Sequence, residues 1–136
     1  MDEKSFTLEI VTPGKTVFKG EVLSFSAPGV LGGFQVLHSH APLLSELQIG
    51  EVKYTDQQGK EMRFATSGGF VEVKGNHVVM LAETAERAEE IDAERAKSAQ
   101  TRAQSRLSGK GKDLDIDRAQ AALARALNRL RVGQKD

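Results

Sequence analysis

The 136 residues of the chain include no cysteine, no tryptophan and only one tyrosine. The absence of cysteine excludes disulfides, cysteine nucleophiles and thiolate metal sites. Because aromatic residues make up only 5% of the sequence, we expect a core built mostly from aliphatic side chains. No segment approaches the run of about 18 apolar residues that a membrane-spanning helix needs. The polar start, Met1–Lys4, is not followed by an apolar run, so we expect no secretory signal and a cytoplasmic protein.

The net charge is zero, but the charges are unevenly distributed. Residues 1–85 carry seven Lys and Arg against ten Asp and Glu, whereas residues 86–136 carry twelve against nine. From Arg118 to Lys135 there are five basic residues and no acidic one. Such a run favours an acidic partner or a phosphate, although a solvated helix face has the same composition.

Residues 5–82 alternate apolar and polar side chains with the period of two that is typical of β-strands. The clearest alternating segments are Phe6–Ile10, Leu23–Ala27 and Val71–Val73. Turn-forming pairs that contain Gly or Pro separate these segments at short intervals, and Lys74–His77 is the clearest hairpin turn. Many short strands with regular turns are typical of an antiparallel sandwich or barrel.

After Ala82 the sequence becomes rich in Ala, Glu, Arg and Gln, which are strong helix formers. We expect Thr84 to cap a first helix over residues 86–107, and the glycines of Ser108–Lys112 to end it. Asp113 or Asp115 then caps a second helix that runs to about Val132, with Gly133 as its stop. The predicted fold is therefore an N-terminal antiparallel β-sandwich, residues 1–85, followed by a C-terminal antiparallel helical hairpin, residues 86–136.

The spacing of side chains assigns faces to the two helices. In the second helix one face carries apolar residues and the opposite face carries arginines, and the first helix repeats the arginine spacing beside a row of alanines. The apolar residues are Ile116, Leu123, Leu127 and Leu130; the arginines are Arg118, Arg125 and Arg129, then Arg95, Arg102 and Arg106; the alanines, with a final leucine, are Ala96, Ala99, Ala103 and Leu107. Packing through alanine buries little area, so at roughly 25 cal/mol per Å² it docks a hairpin weakly. The hairpin is either releasable from the sandwich or an ordinary, permanently docked one.

Other motifs contain residue types that bind metals or phosphate. His38 and His40 faintly resemble the metal motif of cupins, but a turn that makes local hydrogen bonds explains them better, and we expect no metal site. Thr66–Phe70 is glycine-rich but has no Lys and no following helix, so it is not a phosphate-binding loop. A nucleic-acid-binding role is disfavoured because the net charge is zero and no aromatic residue accompanies the arginines. A free-standing cupin-like binding module with a helical tail is the alternative function.

The densest charged cluster is Ala85–Ala96. Asp92 and Arg95 are neighbours at i and i+3 on a helix, and such pairs on a surface contribute about 0.2–0.5 kcal/mol. The functional interpretation is an anion site, in which Arg95 binds a phosphate while Asp92 or Glu86 accepts hydrogen bonds from a base or ribose.

Four segments occur in an order that resembles a known family. His40–Leu44 is similar to a GHAPLL segment, Ser67–Val73 to an SGG-hydrophobic-EV segment, and Leu81–Ala85 to an LA-x-x-A junction. Ile91–Ala96 is similar to the I/L-D-x-x-R-A motif of nucleotide-binding members. The family is the epsilon subunit of the bacterial rotary ATP synthase, and the resemblance covers essentially the whole chain. The chain departs from the family's G-x-x-P-G-H pattern at Gln35–His40.

The resemblance implies a non-catalytic regulatory subunit at the cytoplasmic face of the inner membrane. Its sandwich would bind the gamma subunit and the c-ring, and its extended hairpin would contact the alpha and beta subunits of the catalytic head and block ATP hydrolysis. ATP is the implied regulatory ligand, with no other cofactor. The implied ATP-binding residues are Glu86, Ile91, Asp92, Arg95, Ala96, Arg102, Arg125 and Arg129; the inhibitory contact is expected from Arg118, Arg125, Arg129 and Arg131; the c-ring loop is Val30, Leu31, Gly32, Gly33 and Phe34.

Overall fold

A computed structural model describes residues 4–109 and 115–134. The described part comprises nine strands, one 3₁₀ turn and two α-helices. The strands are β1 (Phe6–Thr12), β2 (Lys15–Gly29), β3 (Gly32–Val36), β4 (Leu43–Leu47), β5 (Gly50–Asp56), β6 (Glu61–Thr66), β7 (Gly69–Lys74), β8 (His77–Ala82) and β9 (Ala85–Arg87); the 3₁₀ turn is Ala88–Glu90; the helices are α1 (Ala93–Ser108) and α2 (Ile116–Gln134). The predicted order of a β-sandwich followed by two helices is confirmed.

The long strand β2 joins the two layers of the sandwich. Its first part pairs with β1, and its second part pairs with β3, β4 and β5. The strands follow the order β1-β8-β7-β4-β2-β5-β6-β9, with β3 on β2. Every described pairing is antiparallel except β1 with β8, which is parallel. The sequence patterns do not indicate that parallel pair, because β1 and β8 are about 70 residues apart.

The alternating segments supply the core as predicted, with one exception. Phe6, Leu8 and Ile10 are buried, and so are Val71 and Val73. The fully buried large side chains are Phe6, Phe25, Phe64, Leu8, Ile10, Met80, Val22, Val36, Val52, Val71, Val73 and Val78.

The exception is Leu23, which was expected to point inward but is only half-buried. The pairing of β2 with β5 shifts register between Val22 and Ser24, and Val22 is buried instead. A bulge adds one residue to a strand and therefore reverses the inward and outward positions on either side of it.

The turn between β7 and β8 forms where the sequence predicts it. Lys74 and His77 are paired, and Gly75 and Asn76 between them both have positive φ, 57° and 60°. Two positive-φ residues in a two-residue connection are characteristic of a type I′ turn, which matches the twist of the strands.

The first helix begins later than its composition predicts. Ala85–Arg87 forms β9 against β6, with Thr66 opposite Ala85, and α1 starts only at Ala93. Its N-cap is Asp92 rather than Thr84, whose hydroxyl instead donates to Ser67 Oγ at 2.8 Å. The expected helix over residues 86–92 is therefore wrong, because strand pairing with β6 overrides the helical propensity of these residues.

The second helix begins after Asp115, whose carboxylate accepts from the Arg118 backbone N–H at 3.0 Å. The helix continues through Gly133 to Gln134, so the predicted stop at Gly133 is wrong. The alternative cap, Asp113, lies outside the described residues.

The buried residues of α2 are Ala119, Ala126, Asn128 and Val132. The predicted apolar face is only partly covered, and Ile116 and Leu127 are exposed.

Alanines form the contact between the two helices, as the sequence predicts. Ala96 and Ala103 of α1 and Ala119 and Ala126 of α2 are buried. Helix α2 also packs against β5, β6 and the 3₁₀ turn, whereas the main contact of α1 is α2. The hairpin is thus folded down on the sandwich and is attached to it chiefly through α2.

Candidate ligand site at the helical hairpin

The position of α1 is fixed by Asp92. One oxygen of its carboxylate accepts hydrogen bonds from the backbone N–H groups of Glu94 and Arg95, at 3.0 and 3.2 Å. An N-cap of this kind satisfies donors that have no partner inside the helix, and it contributes about 1 kcal/mol. Because the cap sets the start of the helix, it also sets the direction of Arg95 and Arg102, which are seven residues apart and lie on one face.

A pocket of about 460 Å³ lies between the two helices. It brings together four of the predicted ligand residues with three further residues of α1. The lining consists of Asp92, Arg95, Arg102 and Arg129, with Glu94, Ser98 and Ala99. Three guanidinium groups and two carboxylates therefore share this pocket, and the formal balance is positive.

Among the residues that the structure describes, Arg95 and Arg102 are the cations of this pocket without a carboxylate partner. Within residues 4–109 and 115–134, no ion pair includes either side chain. Guanidinium groups bind phosphate oxygens through two parallel N–H donors, which makes arginine well suited to phosphate. The pocket has the chemistry of an anion-binding site.

Arg129 differs because it is already paired. Its Nε and Nη2 donate to the two carboxylate oxygens of Glu86, at 2.8 and 3.2 Å. Both side chains are about one-third exposed. The pair joins α2 to β9, and Arg129 faces the pocket between the helices from one side and a second pocket from the other.

That second pocket, of about 490 Å³, lies between α2 and the edge of the sandwich. It contains two further predicted ligand residues, Glu86 and Arg125, together with residues that the sequence analysis did not select. The lining is Lys15, Ala65, Thr66, Ser67, Thr84, Ala85, Glu86, Glu90, Arg125, Asn128 and Arg129. The predicted ligand residues are therefore divided between two pockets that share Arg129.

Ile91 and Ala96, the remaining predicted ligand residues, line neither pocket. Ala96 is completely buried between the helices. Ile91 lies against Gly133, where an added Cβ would be 3.2 Å from Ile91 Cβ and Cγ2. In this conformation both residues support the packing of the hairpin.

Two polar residues missed in the sequence analysis attach α2 to the sandwich. Asn128 is 1% exposed, and its Nδ2 donates to the Gly50 carbonyl at 2.8 Å. Arg63 of β6 donates from Nη1 and Nη2 to the Val132 carbonyl, at 2.8 and 3.0 Å. The available signal was Asn128 itself, a polar residue among the apolar positions of α2. Arg63 has no comparable signal, because its partner is 69 residues away.

Three of the four arginines expected to contact a catalytic head lie on the outside of α2. Arg118, Arg125 and Arg131 are exposed. Arg131 donates from Nη2 to Asn128 Oδ1 at 3.0 Å, which completes the hydrogen bonding of the buried amide. Arg125 and Arg129 belong to both predicted sets and line the pocket at the sandwich edge.

The predicted c-ring loop is the turn between β2 and β3. Gly29 pairs with Gly32, so Val30 and Leu31 form the tip, and Leu31 is fully exposed. Phe34 lies in β3 opposite Ala27 and packs partly against the core. The result is an apolar hairpin tip that projects from one end of the sandwich.

A second exposed apolar area lies on the outer face of β4, β7 and β8. Phe70 is paired with Leu81 on one side and Glu46 on the other, and Leu44 is paired with Glu72. Leu44, Phe70 and Leu81 are all more than half exposed. Exposed apolar residues that cluster on one face commonly mark a protein interface.

The other motifs have local structural roles. His40 Nδ1 is 2.6 Å from the Ala41 carbonyl, and His77 Nε2 is 2.8 Å from Glu9 Oε2. Among the described residues, no group of three or more His, Asp and Glu is placed to hold a metal ion. The glycine-rich segment turns β6 into β7, and an added Cβ at Gly69 would collide with the Leu81 carbonyl. In the described part of the chain, neither helix is long and apolar enough to cross a membrane.

Solved structures with the same fold are assemblies of rotary ATP synthases. One is described as the Euglena gracilis mitochondrial ATP synthase, OSCP/F1/c-ring, with a TM-score of 0.80 and 23% identity over 88% of this chain and 76% of that one. Another is the Tetrahymena thermophila mitochondrial ATP synthase, central stalk and c-ring, with a TM-score of 0.63 and 14% identity over 94% and 96% of the two chains. At these identities the likeness concerns the fold alone.

Sequence comparisons extend the likeness to the family. Residues 5–88 match the beta-sandwich domain of the ATP synthase delta/epsilon chain, and residues 89–134 match its long alpha-helix domain. The ATP synthase epsilon chain of Desulforamulus reducens is 49% identical over 108 residues, 79% of this chain and 81% of the relative. That of Nitratidesulfovibrio vulgaris is 52% identical over 106 residues, 78% of each. The chain therefore belongs to the ATP synthase delta/epsilon chain family, as a non-catalytic epsilon-type subunit.

Proposed function

We propose that the chain couples the rotor of an ATP synthase to its catalytic head and inhibits ATP hydrolysis through its C-terminal hairpin. Bound ATP stabilises the folded hairpin and so opposes the inhibition. The sandwich binds the gamma subunit and the c-ring at the cytoplasmic face of the inner membrane, and the extended hairpin binds the alpha and beta subunits. ATP is bound without being hydrolysed.

The single observation that carries the ATP proposal is the pocket between the helices. Arg95, Arg102 and Arg129 converge there, and two of them have no carboxylate partner among the described residues. A triphosphate requires several cationic donors at one place, and these side chains come from both helices. A ligand that bridges α1 and α2 binds the folded hairpin and loses its contact with Arg129 when the helices separate.

Binding of a ligand contributes free energy that stabilises the folded hairpin. A ligand that binds only the folded hairpin stabilises it by RT ln(1 + [L]/Kd), which is about 2.7 kcal/mol at a hundredfold excess over Kd. The interface between α1 and α2 is built from alanines, whose side chains bury little apolar surface. An ATP concentration well above Kd therefore shifts the hairpin toward its folded form.

Two exposed apolar surfaces support the partner assignments. The tip formed by Val30 and Leu31 offers an apolar contact at one end of the sandwich, suited to the c-ring. The face of Leu44, Phe70 and Leu81 offers a broader apolar contact, suited to the gamma subunit. The arginines on the outer side of α2 are suited to acidic surface on the beta subunits.

Calorimetric titration of the isolated chain with millimolar ATP tests the ligand. We expect one site per chain in the parent and a loss of binding in Arg95→Ala, because Arg95 lines the pocket. Arg106→Ala is the matched control, since Arg106 is an exposed arginine of the same helix outside the pocket. Absence of binding in the parent, or equal affinity in the Arg95 variant and the control, refutes the site.

Hydrolysis by the assembled ATP synthase tests the inhibition. A chain that ends after Glu90 keeps β9 but lacks both helices. We expect enzyme assembled with this shortened chain to hydrolyse ATP faster than enzyme with the full chain. Equal rates contradict the inhibitory role, provided that both forms of the chain are present in the assembled enzyme in equal amounts.

A further inference from the structure

The polar contacts between hairpin and sandwich are concentrated in a short stretch of α2. Asn128 bonds to the Gly50 carbonyl, Arg129 pairs with Glu86, and the Val132 carbonyl accepts from Arg63. Residues 128–132 span little more than one helical turn. The four buried residues of α2 include three small or polar ones, and Val132 is the largest apolar side chain among them.

Arg63 binds the backbone at the C-terminal end of α2 rather than a side chain. The carbonyls of the last turn of a helix have no partner within the helix, and the helix dipole places partial negative charge there. Two N–H groups of Arg63 satisfy the Val132 carbonyl, and the Arg63 side chain is only 12% exposed. Glu51 of β5 lies 3.4 Å from Arg63 Nη1 and holds the guanidinium in position.

Asn128 binds the sandwich through its side chain, from the side of α2. Its amide nitrogen donates to Gly50 and its amide oxygen accepts from Arg131, so both ends are satisfied while the hairpin is docked. A buried polar group that loses its partner without gaining water destabilises the protein. When the hairpin leaves the sandwich, water replaces these partners. The bonds then favour the folded form by their net advantage over bonds to water, which is smaller than the penalty for a partial opening that leaves the groups unpaired.

We propose that Arg63 and Asn128 form a latch, defined by the Arg63–Val132 and Asn128–Gly50 hydrogen bonds, that holds the folded hairpin on the sandwich without a nucleotide. The latch sets the resting population of the folded form, and its rupture at one end of α2 releases both helices, since α1 is held mainly by α2. The release rests on the mobile hairpin of the proposed function. The latch itself is made of protein groups alone and is tested without ATP.

Hydrogen exchange of the full-length chain without nucleotide tests the latch. Arg63→Gln removes the guanidinium group that donates to Val132 and leaves a shorter, neutral side chain. Asn128→Asp replaces the amide donor on the helix side with a carboxylate oxygen, which only accepts. Lys53→Gln is the control, because Lys53 forms a surface ion pair with Glu61 on the neighbouring strands. We expect amides of α2 to exchange about tenfold faster in each latch variant, as expected for the loss of hydrogen bonds to a charged group or a buried amide.

The supporting result is faster exchange in α2 for both latch variants, with unchanged exchange in β5, β7 and β8 and no change for Lys53→Gln. Unchanged exchange in α2 of both latch variants overturns the latch. Equal acceleration in α2 and in the sandwich strands shows that the hairpin opens only with the whole fold, which overturns the latch and the mobile hairpin together. Selective acceleration in α2 with no effect on hydrolysis by the assembled enzyme keeps the latch and rejects the inhibitory role.

Discussion

The sandwich and the hairpin of this chain are stabilised in different ways. The sandwich buries three phenylalanines and a set of branched aliphatic side chains, whereas the buried positions of the hairpin are mostly alanines. A large apolar core gives a stable unit, because stabilisation grows with the apolar area that is removed from water. The hairpin, with little apolar area, depends on a few hydrogen bonds and ion pairs that can be exchanged for those of a ligand or another subunit.

The largest effect is expected from a cavity in the sandwich. Phe25 is completely buried, and Phe25→Ala should lower the free energy of unfolding by about 3–5 kcal/mol. Denaturant unfolding followed through the β-sheet circular dichroism signal measures the loss. A loss well under 1 kcal/mol contradicts the assignment of stability to this core.

An intermediate effect is expected from overpacking the interface between the helices. Ala126 is 2% exposed and Ala124 of the same helix is exposed, which makes Ala126→Leu and Ala124→Leu a matched pair. Inserting three methyl or methylene groups at a packed position costs about 1–3 kcal/mol. We expect Ala126→Leu to accelerate proteolysis of the hairpin while the sandwich stays intact, and Ala124→Leu to have no effect. Equal behaviour of the two variants means that the alanine interface does not hold the helices together.

The smallest effect concerns Tyr54, which stacks on Phe18 with ring centroids 4.3 Å apart. Burial raises the pKa of Tyr54 above its ordinary value of 10.0, and Arg87 opposes this. The neutral phenol is therefore favoured in the folded state. Its contribution to stability is fully present below pH 10.0 and is lost as the pH rises through the folded-state pKa.

Because Tyr54 is the only tyrosine, its phenolate absorbance can be titrated directly. We expect the same raised pKa in the full chain and in residues 1–90, since Phe18, Phe64 and Arg87 surround the ring in both. An ordinary tyrosine pKa in the shortened chain alone would show that the sandwich core needs the hairpin.

The sequence predicted the features that depend on local patterns. Alternation predicted the inward residues of β1 and β7, the Gly75–Asn76 turn followed from residues that adopt positive φ, and the change of composition after Ala82 indicated the helices. The convergence of Arg95 and Arg102 followed from their spacing on one helix. The ligand roles of Arg102 and Arg129 came from the resemblance to the family.

Features set by distant contacts were not predictable in this way. Ala85–Arg87 forms a strand because β6 offers an edge to pair with, although the same residues are good helix formers. The contacts of Arg63 and Asn128 join residues 69 and 78 positions apart, and the local sequence has no signal for either partner. The division of the ligand residues between two pockets likewise depends on how α2 docks.

The most direct test of the central claim is the distance between the sandwich and α2 with and without ATP. The chain has no cysteine, so Lys74→Cys and Gln120→Cys, both at exposed positions, allow two spin labels to be attached. Without ATP we expect a distribution that includes a longer component from released hairpins, and with saturating ATP a single narrow distribution of the folded form. Arg95→Ala should abolish this response. One distribution that is the same with and without ATP would contradict a hairpin whose position is set by the nucleotide.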